Sequence, residues 1–256
     1  MVLAIDLSNT HIAMGGIEDG TVYFSCRLSM DKTRTADEYA VLMKLMGDQH
    51  GTDLHHMEGA IISSVVPDMT AVLRQAVITT AGCIPMIVGP GIKTGLNIRL
   101  DDPTTLASNF VAAAVAALER HHLPCVTVDL DTAISIGVID GKGCYIGGAI
   151  APGVAVSQVA LSYEAALLPS ISLEAPGKII GKNTEGSMRS GIIYGEAAML
   201  DGLLDGIDRE LGERATVVAT GDWADTVIPH CRRAGIIREP DLLMCGLWLI
   251  YRKNKK

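Results

Sequence analysis

The sequence predicts an α/β protein made of two related halves with a cleft between them. Strand-like apolar runs are followed by helical runs, and this order occurs twice along the chain. The composition fits closely packed layers: 48% hydrophobic but only 4% aromatic, with 27 glycines in 256 residues. The opening of the chain also recurs in its middle. At a constant offset of 123 residues, Asp6 falls on Asp129, Leu7 on Leu130 and Gly20 on Gly143, with no gap. The halves are drawn as residues 1–120 and 121–256.

The elements follow from local pattern. Met1 to Leu7 is a short apolar run closed by a carboxylate and the polar turn Ser8-Asn9-Thr10. Strands are expected at His11 to Gly16 and Thr21 to Leu28, with Asp19-Gly20 as the hairpin signal between them. Thr35 and Glu38 have capping-box spacing, which starts a helix running to Gln49. Ala60 to Val66 reads as a buried strand, Asp68 to Ala81 as a helix and Met86 to Val88 as another strand. Gly89 to Pro103 reads as a long loop, after which Asp102 and Pro103 supply an N-cap and a first-turn proline for a helix to Arg120.

In the second half, strands are expected at Val126 to Leu130, Ile134 to Ile139, Cys144 to Ile150 and Ala215 to Ala219. Helices are expected at Val154 to Leu168, Thr184 to Leu211, Asp222 to His230 and Leu242 to Lys253.

Charge and composition exclude several function classes. A net charge of −8 argues against a nucleic-acid partner, because phosphate backbones bind clustered Lys and Arg. A small anionic ligand remains compatible, since backbone amides and a metal can hold it. The most apolar helix, Leu242 to Tyr251, is about half the length that spans a bilayer. The basic tail behind it, Arg252, Lys253, Lys255 and Lys256, reads as a solvated helix end. Asp6 lies too early for a secretory apolar stretch. Six scattered cysteines without C-x-x-C spacing predict reduced thiols and a cytoplasmic protein.

Two carboxylates at strand ends beside polar turns point to phosphoryl transfer. Turns rich in Ser, Asn, Thr and Gly offer amides and hydroxyls to phosphates, and a nearby carboxylate can hold a bridging cation. Asp6 and Asp129 are the cation-linked candidates; Asn9, Thr10 and Thr132 are the phosphate-contact candidates. Two glycine–lysine stretches do not qualify as phosphate loops. Gly89 to Thr94 lacks an adjacent Gly-Lys at the required spacing, and in Gly177 to Asn183 the spacing is short and Asn183 replaces the hydroxyl residue.

Seven blocks in order carry a family resemblance: D-L-S-N-T from Asp6, S-S-V-V-P from Ser63, G-P-G-I-K-T-G-L-N-I-R from Gly89, V-D-L-D-T-A from Val128, Y-I-G-G-A-I-A-P-G from Tyr145, I-G-K-N-T from Ile180 and A-T-G from Ala219. Over nearly its whole length the chain resembles type III pantothenate kinases. The resemblance implies the duplicated actin-like, ribonuclease H-like fold of acetate and sugar kinases. It implies phosphorylation of pantothenate by ATP on the way to coenzyme A, with Mg2+ and a monovalent cation (K+ or NH4+), in a homodimer. Carried over by position, Asp6, Ser8, Asn9 and Thr10 fall in the first phosphate turn. Asp129 would hold the monovalent cation, Thr132 and Gly221 would meet ATP, and Thr184 would meet pantothenate.

The chain departs from the family pattern at several of these points. Ala107-Ser108-Asn109-Phe110 stands where the resemblance implies G-A-D-R. The aspartate of that pattern is the general base, and the arginine binds the substrate carboxylate. Asn109 can orient a hydroxyl but cannot take its proton, which predicts a rate loss of roughly 10² to 10⁴. Phe110 offers no charge-assisted bond. Leu100 replaces an aromatic hydroxyl. Ser8, Asp131 and Asp222 replace glycines of the phosphate turns, where close approach and positive φ are expected. Two further readings follow from these departures. One is a catalytically impaired paralogue that acts as a metabolite sensor or as the partner subunit of an intact homologue. The other is a kinase for a different small hydroxyl substrate.

Overall fold

A computed structural model describes residues 1–255; Lys256, placed in the basic tail above, lies outside them. The chain separates into two compact units. The first comprises residues 1–97 and 101–119 and the chain from Asp241 onward; the second comprises residues 98–100 and 120–240. The C-terminal helix therefore belongs to the first unit, whereas the halves drawn from sequence put it in the second.

In the first unit, β1 (Val2–Leu7), β2 (His11–Glu18) and β3 (Thr21–Ser29) form an antiparallel meander. β4 (Gly59–Ser64) pairs parallel to β1, and β5 (Met86–Ile87) pairs parallel to β4. The sheet order is β3-β2-β1-β4-β5. β1 reads as an unbroken apolar run because both of its faces are covered. Leu3, Ile5 and Leu7 join the core beneath α1 (Ala36–Gln49) and α2 (Pro67–Ala81). Val2 and Ala4, pointing the other way, join the core beneath α3 (Ser108–Arg120) and the C-terminal helix (Leu242–Asn254). A Cβ on Gly246 would lie 1.9 Å from the Ala112 carbonyl oxygen, so this glycine lets those two helices approach closely.

The capping box forms as expected: Glu38 N–H donates to Thr35 Oγ1 and Thr35 N–H to the Glu38 carboxylate. The long loop before α3 is not wholly irregular. It holds a two-residue strand, β6 (Asn97–Ile98). Pro103 opens a separate 3₁₀ turn, Pro103–Thr105, with Asp102 accepting from Thr104 N–H at 2.9 Å. The helix proper begins five residues after that proline, because the chain extends at Leu106 before it coils again.

The second unit repeats the plan. β7 (Cys125–Leu130), β8 (Ala133–Ile139) and β9 (Cys144–Pro152) form the antiparallel meander. β10 (Thr216–Thr220) pairs parallel to β7, and β11 (Ile237–Arg238) parallel to β10. The helices are α4 (Val154–Glu164), α5 (Thr184–Leu211) and α6 (Ala224–Val227); the C-terminal helix is α7. α4 stops four residues earlier than the sequence predicts. The helix expected at Asp222 to His230 is the short α6 followed by a 3₁₀ turn containing Pro229. Strand for strand, β7-β8-β9-β10-β11 reproduces β1-β2-β3-β4-β5, which is what the 123-residue offset predicts. No helix among the described residues is long and apolar enough to cross a membrane.

Candidate active site

The candidate residues form one constellation in each unit. In the first, Asp6 is a buried carboxylate one residue before the end of β1, opposite Ala13 on β2 and Ser63 on β4. The following turn exposes Asn9 and Thr10. Ser8 organises it: its hydroxyl donates to the His11 carbonyl at 3.0 Å and accepts from the His11 and Thr10 amides at 3.2 and 3.4 Å. Ser8 needs no left-handed backbone, since Asp19 is the only non-glycine with positive φ among the described residues. The glycine expected at this turn is therefore not required for backbone reasons, and the side chain placed there holds amides that a phosphate would otherwise meet. His11, which the sequence reading passed over, sets its ring Nδ1 3.1 Å from Thr10 Oγ1 and 3.3 Å from Ser8 Oγ.

The N-terminus of α3 is tied to the end of β4 through Ser108. Its hydroxyl accepts from Ser63 Oγ and from Ser64 N–H, both at 2.9 Å, and donates to the Ser64 carbonyl at 3.0 Å. These three bonds use the full capacity of a hydroxyl and fix the first helical turn. That turn carries the half-buried Asn109 and Phe110, with Ala107 just before it. Asn109 Oδ1 is buried without a hydrogen-bond donor. Such an acceptor is costly to leave unpaired in a folded protein.

In the second unit, Asp129 occupies on β7 the place of Asp6 on β1, opposite Ser135 on β8 and Thr220 on β10. Gly221, at φ +93°, turns the chain after β10; a Cβ there would lie 2.5 Å from the Leu130 backbone and 2.6 Å from Asp129 Oδ1. Gly153, at the start of α4, is pressed as closely on the turn after β7, where a Cβ would lie 2.2 Å from the Asp131 carbonyl oxygen. These two close approaches bring Asp129, Asp131, Thr132, Gly221 and Asp222 together, with carboxylate oxygens of Asp131 and Asp222 within 4.8 Å of each other. Neither Asp131 nor Asp222 has positive φ, so both are accommodated without backbone strain. Arg238 braces the same turn, donating to the Gly221 carbonyl at 3.1 Å and pairing with Asp225 at 2.9 Å. Gly153 and Arg238 were not legible as site residues, because only the folded turn reveals them.

Thr184 is the exposed first residue of α5, and Asn183 caps that helix by accepting from Gly186 N–H at 2.7 Å. The Gly-Lys of this stretch thus belongs to a helix cap, consistent with its rejection as a phosphate loop. The other rejected stretch is pinned to α7, where Lys93 exchanges two bonds with the Asn254 side chain at 3.0 and 2.8 Å. Leu100 lies against Gly147 of β9. Deeper in α5, Glu196 is buried. Its Oε1 accepts from Ser157 at 3.2 Å, its Oε2 has no donor, and burial pushes its pKa up to about 7. Helical periodicity marks this position as inward-facing but gives no sign of a strongly shifted carboxyl.

A sequence model of the type III pantothenate kinase family matches residues 2–206. Among curated proteins, the type III pantothenate kinase of Shouchella clausii is 40% identical over 257 residues, covering 100% of both chains. That of Moorella thermoacetica is 36% identical over 254 residues, covering 99% of this chain and 100% of its own. Among solved structures, a ROK hexokinase from Thermus thermophilus aligns with TM-score 0.52 at 14% identity over 98% of both chains. A ROK family glucokinase from Streptomyces griseus aligns with TM-score 0.53 at 13% identity, also over 98% of both. These structures share the actin-like, ribonuclease H-like fold and speak to the fold alone. With its family match, full-length relatives and repeated strand-end carboxylates, the chain belongs to the type III pantothenate kinase family.

Proposed function

We propose that the chain transfers the γ-phosphoryl group of ATP to a hydroxyl of pantothenate, in the cytoplasm, as a homodimer. The supporting observation is the matched pair of turns: Asp6 and Asp129 stand one residue before the ends of equivalent strands in two sheets that share a five-strand order, each beside hydroxyl- and amide-bearing residues. Asn9 and Thr10 of one turn and Thr132 of the other supply phosphate contacts. Gly221 keeps the nucleotide-side turn tight, and Thr184 meets the substrate.

The donors present suit hard, oxygen-liganded cations. Asp6 would serve Mg2+ and Asp129 the K+ or NH4+ ion, with Asp131 and Asp222 adding carboxylate oxygens on the same turns. A bound cation would neutralise charge on the phosphate oxygens. The chain's own residues do the positioning. The Ser63–Ser108 bonds fix the first turn of α3, and Asn109 Oδ1 accepts the hydrogen bond of the attacking hydroxyl. The hydroxyl oxygen bonds to the γ-phosphorus, the bond to ADP breaks, and the hydroxyl proton leaves to water or to a phosphoryl oxygen, because an amide does not bind it. Phosphoryl transfer depends mainly on positioning and charge stabilisation, so turnover is expected without an ionised base. Phe110 covers the far end of the substrate by apolar contact and gives no charge pairing.

The test is ADP release by the purified protein with ATP, Mg2+, K+ or NH4+, and pantothenate. Pantothenate-dependent release supports the proposal. Silence with pantothenate, combined with tight ATP binding, would overturn it in favour of an impaired, ligand-sensing paralogue.

A further inference from the structure

Ser8 spends its whole hydrogen-bonding capacity inside the turn after β1. Its hydroxyl proton goes to the His11 carbonyl at 3.0 Å, and its two lone pairs take the His11 and Thr10 amides at 3.2 and 3.4 Å. The turn is pinned through its backbone as well. Ser8 N–H donates to the His11 carbonyl at 2.9 Å, and Met30 N–H donates to the Thr10 carbonyl at 3.0 Å. Two backbone amides of the kind that hold anions are therefore committed to Ser8. The donor duty of the turn passes to side chains, and the exposed Thr10 hydroxyl is one of them.

His11 stands where it sets the direction of that hydroxyl. It is the first residue of β2, paired with Ser29 of β3, so the sheet fixes its backbone. Its ring Nδ1 lies 3.1 Å from Thr10 Oγ1 and 3.3 Å from Ser8 Oγ. With Ser8 saturated, Thr10 is the hydroxyl of the two that bonds to Nδ1. That bond runs one of two ways. If Nδ1 is bare, Thr10 gives it the hydroxyl proton, and only oxygen lone pairs are left to face an anion. If Nδ1 carries hydrogen, it donates to Thr10 Oγ1, and the hydroxyl proton is not consumed by His11. A neutral imidazole holds its hydrogen on one nitrogen or the other, so the tautomer sets the polarity of the turn.

We propose that His11 is a positioning residue for the phosphate chain of ATP: its Nδ1–H donates to Thr10 Oγ1 and so turns the Thr10 hydroxyl proton outward to a phosphoryl oxygen. This rests on the reading of Thr10 as a phosphate contact and names the side chain that makes it a donor. A phosphate only accepts, and a hydroxyl that donates to it forms a charge-assisted bond. In this role His11 acts through Thr10 and not on the reacting atoms.

Proton–nitrogen correlation NMR of the protein carrying nitrogen-labelled histidine reads which ring nitrogen bears hydrogen, and the signal lost in His11→Asn assigns His11. With ATP and Mg2+ bound, hydrogen is expected on Nδ1. Calorimetry with ATP and Mg2+ is expected to find His11→Leu and Thr10→Val each binding roughly 10-fold or more weakly than the parent. The double variant is expected to bind no more weakly than Thr10→Val alone, because the bond that His11 supports is already gone. His11→Asn is expected to recover most of the loss, since its amide N–H reaches the place of Nδ1. A bare Nδ1 in the ATP complex would overturn the proposal, as would losses that multiply in the double variant. The NMR result is read on the parent chain and stands even if His11→Leu does not fold. Parent-like affinity in Thr10→Val would overturn the phosphate reading of Thr10 and this proposal with it. Weak binding by Thr10→Val beside parent-like binding by His11→Leu would overturn this proposal alone.

Discussion

Asn109 concentrates the chemistry peculiar to this chain. Its side-chain oxygen is buried without a donor at the first turn of α3, held there by the three bonds of Ser108. An acceptor in that state can take a donor from outside the chain, and in the proposed function a substrate hydroxyl supplies one. Replacing the amide by a carboxylate adds proton affinity without changing shape. Asn109→Asp is therefore expected to raise kcat by roughly 10² or more, with little change in the KM for ATP. Phe110→Arg is expected to lower the KM for pantothenate through a charge-assisted bond to its carboxylate. Steady-state kinetics with each substrate varied separates the two effects, and an unchanged kcat in Asn109→Asp would remove Asn109 from the reacting centre.

Glu196 makes a separate statement about stability. Its pKa, raised from 4.5 to about 7 by burial, means the unfolded chain releases this proton before the folded one does. Folding stability from this group is therefore full below about pH 4.5 and declines as pH climbs through 7, by roughly 3 kcal/mol in all. Glu196→Gln keeps the bond from Ser157 and cannot ionise. Thermal unfolding should find it more stable than the parent at pH 8 and equal to it at pH 4.

At the scale of elements, the site depends on turns more than on helices or strands. Gly221 joins β10 to α6 in a left-handed conformation with the Leu130 backbone at contact distance. Gly221→Ala carries both backbone strain and a clash, so a loss of about 1–3 kcal/mol in stability is expected, with weaker ATP binding by calorimetry. Unchanged nucleotide affinity in a folded Gly221→Ala protein would separate this turn from the nucleotide. The turns also mark where sequence reasoning reached its limit. β1 and β7 were legible from their apolar runs and terminal carboxylates, and α5 from its length and cap. β6 and β11 have two residues each and no periodicity to read. Pro103 carries the signals of a helix start, yet it opens a 3₁₀ turn because Leu106 returns the chain to an extended path. The close approaches of Gly153 and Gly221 depend on segments far apart in sequence, and composition does not encode them.

For the whole molecule, the duplication is the most informative feature, and it was visible in an offset of 123 residues before any coordinates. Two sheets with matched strand order put Asp6 and Asp129 in equivalent registers, which no single motif in the chain would have established. The C-terminal helix was misplaced between the halves because chain order does not say which sheet face lacks cover; the α3 side of the first sheet did. The acidic net charge has local meaning too: in the proposed function, Asp131 and Asp222 add carboxylates to the nucleotide-side turn, so a cation would have to sit between them and the phosphates. The most direct test of the kinase reading is mass spectrometry of pantothenate after incubation with the purified protein, ATP, Mg2+ and K+ or NH4+. A pantothenate species heavier by one phosphoryl group, formed in step with ADP and absent without the cation, is the expected result; unmodified pantothenate after complete exposure to the enzyme would contradict it.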